Sequence, residues 1–240
     1  MNAMAVLNWV TGGTVPWVPR GLSPLSPPCT PRTSNGLKAG DMTMPVTPTL
    51  AYYARNAEEF VASTVDVDFS ATQKRFATLL PERGRVLDLG CGSGRDARWF
   101  LIRGFDVTAT DGSPELASVA QRVAGIPVRV ELFGDLADVE HYDGVWACSS
   151  ILHLPKQELA DVLGRIERAL VPKGVLYTSF KYGNFEGMRN GRHFTDFTEP
   201  VFREFVTKTC NLAIEDLWIS GDVRPGRSDE RWLNVIMRKA

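Results

Sequence analysis

The sequence predicts an α/β domain, doubly wound, with a mostly parallel seven-stranded sheet, helices on both faces and the last strand antiparallel. Three observations carry that expectation. From Thr49 onward, short apolar runs of strand length alternate with stretches of helical periodicity, the pattern of a parallel sheet covered on both sides. One strand runs into three closely spaced glycines and opens straight into a helix. The chain has 240 residues, 44% hydrophobic and 23% charged, enough for one generous core. No stretch reaches the roughly 18 uninterrupted apolar residues of a spanning helix, so no membrane segment is expected.

The elements follow in order. Helical patterns cover about 50–63, with Tyr53, Ala57 and Phe60 on one face, and about 71–80. A strand at 85–89 feeds a helix at about 95–103, which Gly104 closes. The next strand is 106–110, and its helix, 114–123, has Pro114 in the first turn, where a missing N–H costs nothing. Strands at 128–132 and 144–148 precede a long helix at about 156–170 and a strand at 174–180. A glycine-rich loop over 183–191 leads to a helix near 199–209, and the last strands are about 213–220 and 231–238. Ligands of such sheets sit at the carboxyl ends of the strands near the switch point, so functional residues are sought in the loops that follow each strand.

Composition divides the chain near residue 48. Eight of the fifteen prolines (Pro16, Pro19, Pro24, Pro27, Pro28, Pro31, Pro45 and Pro48) precede Thr49, and no acid comes before Asp41. Prolines at this density prevent helices and central strands. Residues 1–48 are therefore expected to be a disordered proline-rich tail or a misassigned start, with Met42 or Met44 as candidate initiators, and 49–240 the folded domain. Met1 to Val10 holds no Lys or Arg, unlike a secretory signal. Four scattered cysteines, with no C-x-x-C pair, make neither a zinc pattern nor a disulfide framework and suit a reducing cytoplasm. Lys and Arg total 27 against 28 Asp and Glu, a net charge of −1. A dedicated nucleic-acid binder carries a basic excess, so a small molecule or a protein is the expected partner.

The strongest motif is Val86-Leu87-Asp88-Leu89-Gly90-Cys91-Gly92-Ser93-Gly94-Arg95. Its glycines let a ligand lie against bare main chain, and the helix-start amides face an anionic group. Gly92-Ser93-Gly94-Arg95-Asp96-Ala97 also fits the dinucleotide pattern G-x-G-x-x-A. Asp88 distinguishes the two, since it would repel a pyrophosphate but pair with an α-ammonium group.

This stretch resembles motif I of class I S-adenosylmethionine-dependent methyltransferases, and further motifs follow at that family's spacing from about Tyr52 to the C-terminus. The resemblance implies a Rossmann-like methyltransferase fold, S-adenosyl-L-methionine as cofactor and S-adenosyl-L-homocysteine as product. It implies that Asp88, Gly90, Cys91 and Gly92 serve the cofactor's methionine end. Asp111, followed by Gly112 and Ser113, resembles the acid that takes both ribose hydroxyls. Asp135, followed by Leu136, resembles the acid that meets the adenine amine. The run from Tyr142 to Cys148 resembles motif IV. Ala169-Leu170-Val171-Pro172-Lys173-Gly174 resembles the turn into strand five, with Lys173 where the family usually has glycine. Asp111 and Asp135 could equally cap the helices that follow. Arg95 is either a solvated first-turn residue or a partner of the methionyl carboxylate. Tyr52, Tyr53 and Asn56 lie on a helix that in this family often covers the cofactor, with ordinary amphipathic packing as the alternative.

Cys148-Ser149-Ser150-Ile151-Leu152-His153-Leu154-Pro155 lacks the Pro-Pro-aromatic run of amino-group DNA enzymes. It also lacks a Pro-Cys nucleophile, and Pro28-Cys29 lies in the N-terminal segment. It is similar to the small-molecule branch of tellurite-resistance-type methyltransferases, in which a His follows strand four. His153 would act as a base or close the loop through a backbone hydrogen bond. Lys181, Arg192, Arg224 and Arg227, on loops at the same rim, would converge on a small polar or anionic acceptor. The plainer alternative is solvated loop charge, partly neutralised by Asp222, Asp229 and Glu230. The catalytic candidates are thus His153, Lys181 and Arg192, with no metal cluster. An RNA or protein methyltransferase and a non-catalytic cofactor-binding protein stand as alternatives.

Overall fold

The computed structural model describes residues 47–240. The tail expected over 1–48, with its Pro28-Cys29 pair, lies outside these residues except at Thr47 and Pro48, which begin a helix. Pro48 opens α1 (Pro48–Arg55), and the Thr47 hydroxyl accepts from the Leu50 amide at 3.3 Å. The single helix expected over 50–63 is broken at Asn56. There both the side-chain amide and the backbone N–H donate to the Tyr52 carbonyl, and the chain restarts as α2 (Ala57–Ala62). Asn interrupts helices in this way because its side chain offers the backbone a competing partner.

After α3 (Ser70–Ala77) come β1 (Arg85–Leu89), α4 (Arg95–Ile102), β2 (Asp106–Asp111), α5 (Pro114–Ala124), β3 (Val128–Val130) and β4 (Tyr142–Ala147). The second half holds α6 (Lys156–Ala169), β5 (Leu170–Lys181), β6 (Glu186–Arg189), β7 (Arg192–Thr195), α7 (Glu199–Thr209), β8 (Ala213–Gly221) and β9 (Arg231–Arg238). The seven-stranded sheet has the order β3-β2-β1-β4-β5-β9-β8. The first five strands pair in parallel, and β9 inserts antiparallel to both neighbours, as expected of the last strand. The glycine-rich loop is instead a separate β6–β7 hairpin. It turns at Asn190 and Gly191, whose φ angles of 51° and 78° are both left-handed, as in a two-residue turn of the Asn-Gly kind.

Strand alternation divides the core into two layers. Phe76 of α3, Phe100 of α4 and Ala120 of α5 pack on one face with Val86, Trp146 and Tyr177, the last two rings stacked at 4.1 Å. Leu159, Leu163 and Ile166 of α6 and Phe202 and Val206 of α7 cover the other with Leu87, Leu89 and Phe180. No helix among the described residues is long and apolar enough to cross a membrane. The order reverses between β1 and β4, so a crevice opens above their carboxyl ends.

Candidate active site

A cavity of about 690 Å³ lies there. The β1–α4 loop forms one wall. Gly90 has φ 77°, and a Cβ on it would fall 2.6 Å from that of Ser150. Ser150 donates to the Leu89 carbonyl at 2.7 Å, so the loops after β1 and β4 meet with no room for a side chain. Asp111 ends β2 with both carboxylate oxygens engaged by main chain: the amides of Gly92 and Ser113 donate to it, each at 2.9 Å. Burial raises its carboxyl to about 6, and the two amides oppose that rise. Gly90, Cys91, Gly92, Arg95, Asp111, Gly112, Asp135, Cys148 and Tyr53 all line the cavity. Leu132 and Phe133, which sequence reasoning missed, supply apolar wall beside Asp135. Burial pushes the Cys148 thiol up to about 12, so it is no nucleophile at neutral pH.

Three expected residues do not reach the cavity. Asp88 is 2% exposed and, by strand alternation, faces the α4 layer beneath the loop. Burial first, then the Asp96 charge, hold its carboxyl well above the usual carboxylate range. Ser113 is the N-cap of α5, its hydroxyl accepting from the Leu116 amide at 3.3 Å. It bears on the site only through its amide to Asp111. Leu136 is fully buried in the α6 layer. Among the lid candidates, Tyr53 lines the cavity while Tyr52 and Asn56 do not.

Arg95 is neither solvated nor free. Its Nε and Nη2 donate to Asp96 at 2.7 and 2.9 Å. Asp96, a residue with no sequence signal beyond its place in the motif, also accepts from Gln73 at 2.7 Å and from the Trp146 indole at 2.9 Å.

At the opposite wall, His153 sits in a short 3-10 turn (Ile151–His153) after β4. Its Nδ1 is 2.7 Å from the His193 carbonyl and its Nε2 is 2.8 Å from the Tyr53 hydroxyl. The carbonyl can only accept, so Nδ1 carries the hydrogen and Nε2 accepts from Tyr53. Burial lowers the imidazole to about 4, and nearby Arg192 adds to this. The backbone hydrogen bond is the loop-closing arrangement.

The four expected cations, Lys181, Arg192, Arg224 and Arg227, all line this cavity, but three of them are paired with acids. Lys181 pairs with Glu230 and, at 3.5 Å, with Asp222, and lies 3.9 Å from the Trp232 ring centre. Burial brings it down to about 8 against the pull of Asp222. Arg224 grips Asp222 with two nitrogens, at 2.9 and 2.5 Å, and Arg227 meets Glu230 at 3.3 Å. Arg192 differs. Among the described residues it has no carboxylate within ion-pair distance, and its one side-chain partner is the Tyr53 hydroxyl at 3.4 Å. No group of His, Cys, Asp and Glu among the described residues could hold a metal ion.

Residues 86–174 match a family model described as a methyltransferase domain. A Bacillus subtilis protein named as a methyltransferase, YqeM, is 34% identical over 113 residues, 42% of this chain and 46% of that protein. The chain thus spans about half the length of that relative. Among solved structures, the 1,6-didemethyltoxoflavin-N1-methyltransferase of Burkholderia thailandensis holds 1,6-didemethyltoxoflavin and S-adenosylhomocysteine. It is 25% identical, covers 83% of this chain and 93% of its own, and superposes with a TM-score of 0.59. A TehB-like S-adenosylmethionine-dependent methyltransferase of Corynebacterium glutamicum, 22% identical, covers 80% and 98% with a TM-score of 0.59, a likeness of fold.

Proposed function

We propose that this chain, whose residues 86–174 form a methyltransferase domain, transfers the methyl group of S-adenosylmethionine to a small polar or anionic acceptor. One observation carries the reading: a single cavity is lined on one side by the glycine loop, Asp111 and Asp135, and on the other by His153 and Arg192. Its volume is in the range of small-molecule sites. The pairing of the rim cations with acids speaks against an RNA-binding face.

The donor set fits the cofactor. Gly90 and Gly92 offer bare main chain to the methionine end, Asp111 presents a carboxylate already fixed by two amides to the ribose hydroxyls, and Asp135 accepts from the adenine amine beside Phe133. When bound, the cofactor would supply a methyl on a cationic sulfur, open to an acceptor lone pair, with the S–CH3 bonding pair returning to sulfur as S-adenosylhomocysteine forms. The chain's task is then to align the acceptor and exclude water. With both nitrogens engaged and the imidazole neutral, His153 acts as a positioning residue that fixes the Tyr53 hydroxyl. Lys181 remains a tethered cation at the far rim.

Calorimetric titration with S-adenosylhomocysteine tests the donor site. The parent should bind, and Asp111→Ala should weaken binding by roughly 2–3 kcal/mol through loss of two charge-assisted hydrogen bonds. No binding by the parent would end the methyltransferase reading. Unchanged affinity in the variant would remove Asp111 from the site.

A further inference from the structure

Resting on that reading, we propose that the acceptor is a monocarboxylate with an apolar body, and that Arg192 is the side chain that recognises it. The inference begins from unequal charge compensation around one cavity. Arg95 is paired with Asp96, Arg224 with Asp222, Arg227 with Glu230, and Lys181 with both Asp222 and Glu230. Arg192 lines the same cavity with no such partner among the described residues. A partly buried, uncompensated guanidinium favours an anion beside it.

Its hydrogen bonding points to the shape of that anion. Nη1 donates to Tyr53, whereas Nε is buried with no partner and Nη2 makes no hydrogen bond to a described residue. The Nε–Nη2 edge is the one that a carboxylate meets with two parallel bonds. A dianion fits worse, because the neighbouring cations are already neutralised and Asp222 stands at the same rim.

The surroundings specify the rest of the molecule. Arg192 lies 4.4 Å from the ring centre of Tyr52 and 5.2 Å from that of Phe194. Met188 and Val223 also line the cavity while 53% and 51% exposed, an apolar rim at the mouth. A carboxylate held by Arg192 would lay its body along this rim.

The full chain, saturated with S-adenosylhomocysteine, is titrated with 2-naphthoate, 2-naphthamide and 2-naphthyl phosphate. We expect naphthoate to bind at least tenfold more tightly than the other two. Arg192→Met should lose that preference, and Arg192→Lys, which keeps the charge but not the fork, should lose most of it. Both variants should retain affinity for S-adenosylhomocysteine within about threefold, which also reports that they are folded. Equal binding of naphthoate and naphthamide, no naphthoate binding, or tighter binding of the phosphate would overturn the proposal while leaving the methyltransferase reading intact. Arg192→Met losing S-adenosylhomocysteine affinity instead would assign the guanidinium to the cofactor's own carboxylate, and also overturn it. Failure of the parent to bind S-adenosylhomocysteine would defeat the underlying reading, whatever naphthoate does.

Discussion

A buried carboxylate is tolerable when every lone pair facing the protein has a donor, and Asp96 meets that condition. Gln73, the Trp146 indole and two nitrogens of Arg95 surround it, tying α3, α4 and β4 together under the glycine loop. Removing it leaves the buried Trp146 indole N–H without a partner and the mostly buried Arg95 guanidinium without its counter-charge. Asp96→Ala should therefore cost about 3–5 kcal/mol in urea unfolding, the scale of a broken buried pair. A loss under 1 kcal/mol would show that Arg95 finds water or another partner. None of this was legible from sequence, because an acid in a first helical turn is ordinary. The position of Asp111 in the cavity was legible because it depends only on its place at a strand end. The place of Asp88 is not legible from its spacing to Gly90, because strand alternation turns it toward α4, away from the cavity lining.

The elements that roof the cavity repeat this division. The helix–strand alternation is written in apolar periodicity, and the seven strands of the main sheet stand within a few residues of where that periodicity puts them, though β3 is only three residues long and β5 starts at Leu170, taking in the expected turn before 174. The β6–β7 hairpin was missed, although Asn190-Gly191 is a recognised turn signal, because the glycines around it read as loop. The hairpin carries Arg192 and packs on α1, where the His193 amide donates to Thr49 at 3.0 Å. Gly191 has φ 78°, and a Cβ there would lie 3.2 Å from the Tyr52 ring. Gly191→Ala combines left-handed strain of roughly 1–2 kcal/mol with displacement of the ring that stacks on Arg192. Hydrogen exchange should show faster opening of the hairpin amides with the amides of β1–β5 unchanged. Equal acceleration in the main sheet would mean that the hairpin is not a separate unit.

For the whole molecule, two buried titrations set opposite responses to acid. The ordinary imidazole value of 6.5 falls to about 4 at His153. Between those pH values the unfolded chain binds a proton that the folded one refuses, so stability is lost as the pH falls, by about 3 kcal/mol over the full window. Asp111 runs the other way. Its carboxyl rises from 3.8 to about 6, so over that window the folded chain holds a proton that the unfolded one lacks, and stability is gained on acidification by a similar amount. Asp88, also raised by burial, adds to the gain, but it is common to the parent and to both variants below. Melting temperatures of the cofactor-free protein between pH 6.5 and 4.5 separate the two contributions. Asp111→Asn should fall more steeply with acid than the parent, and His153→Asn should fall less or rise. Saturating S-adenosylhomocysteine should shift the parent toward the Asp111→Asn profile, since hydroxyls donating to Asp111 favour its ionised form and remove the proton uptake. The cofactor's stabilising effect would then shrink as the pH drops below 6. Parallel slopes for the parent and Asp111→Asn, with or without the ligand, would place that carboxylate outside both the pH response and the ribose site.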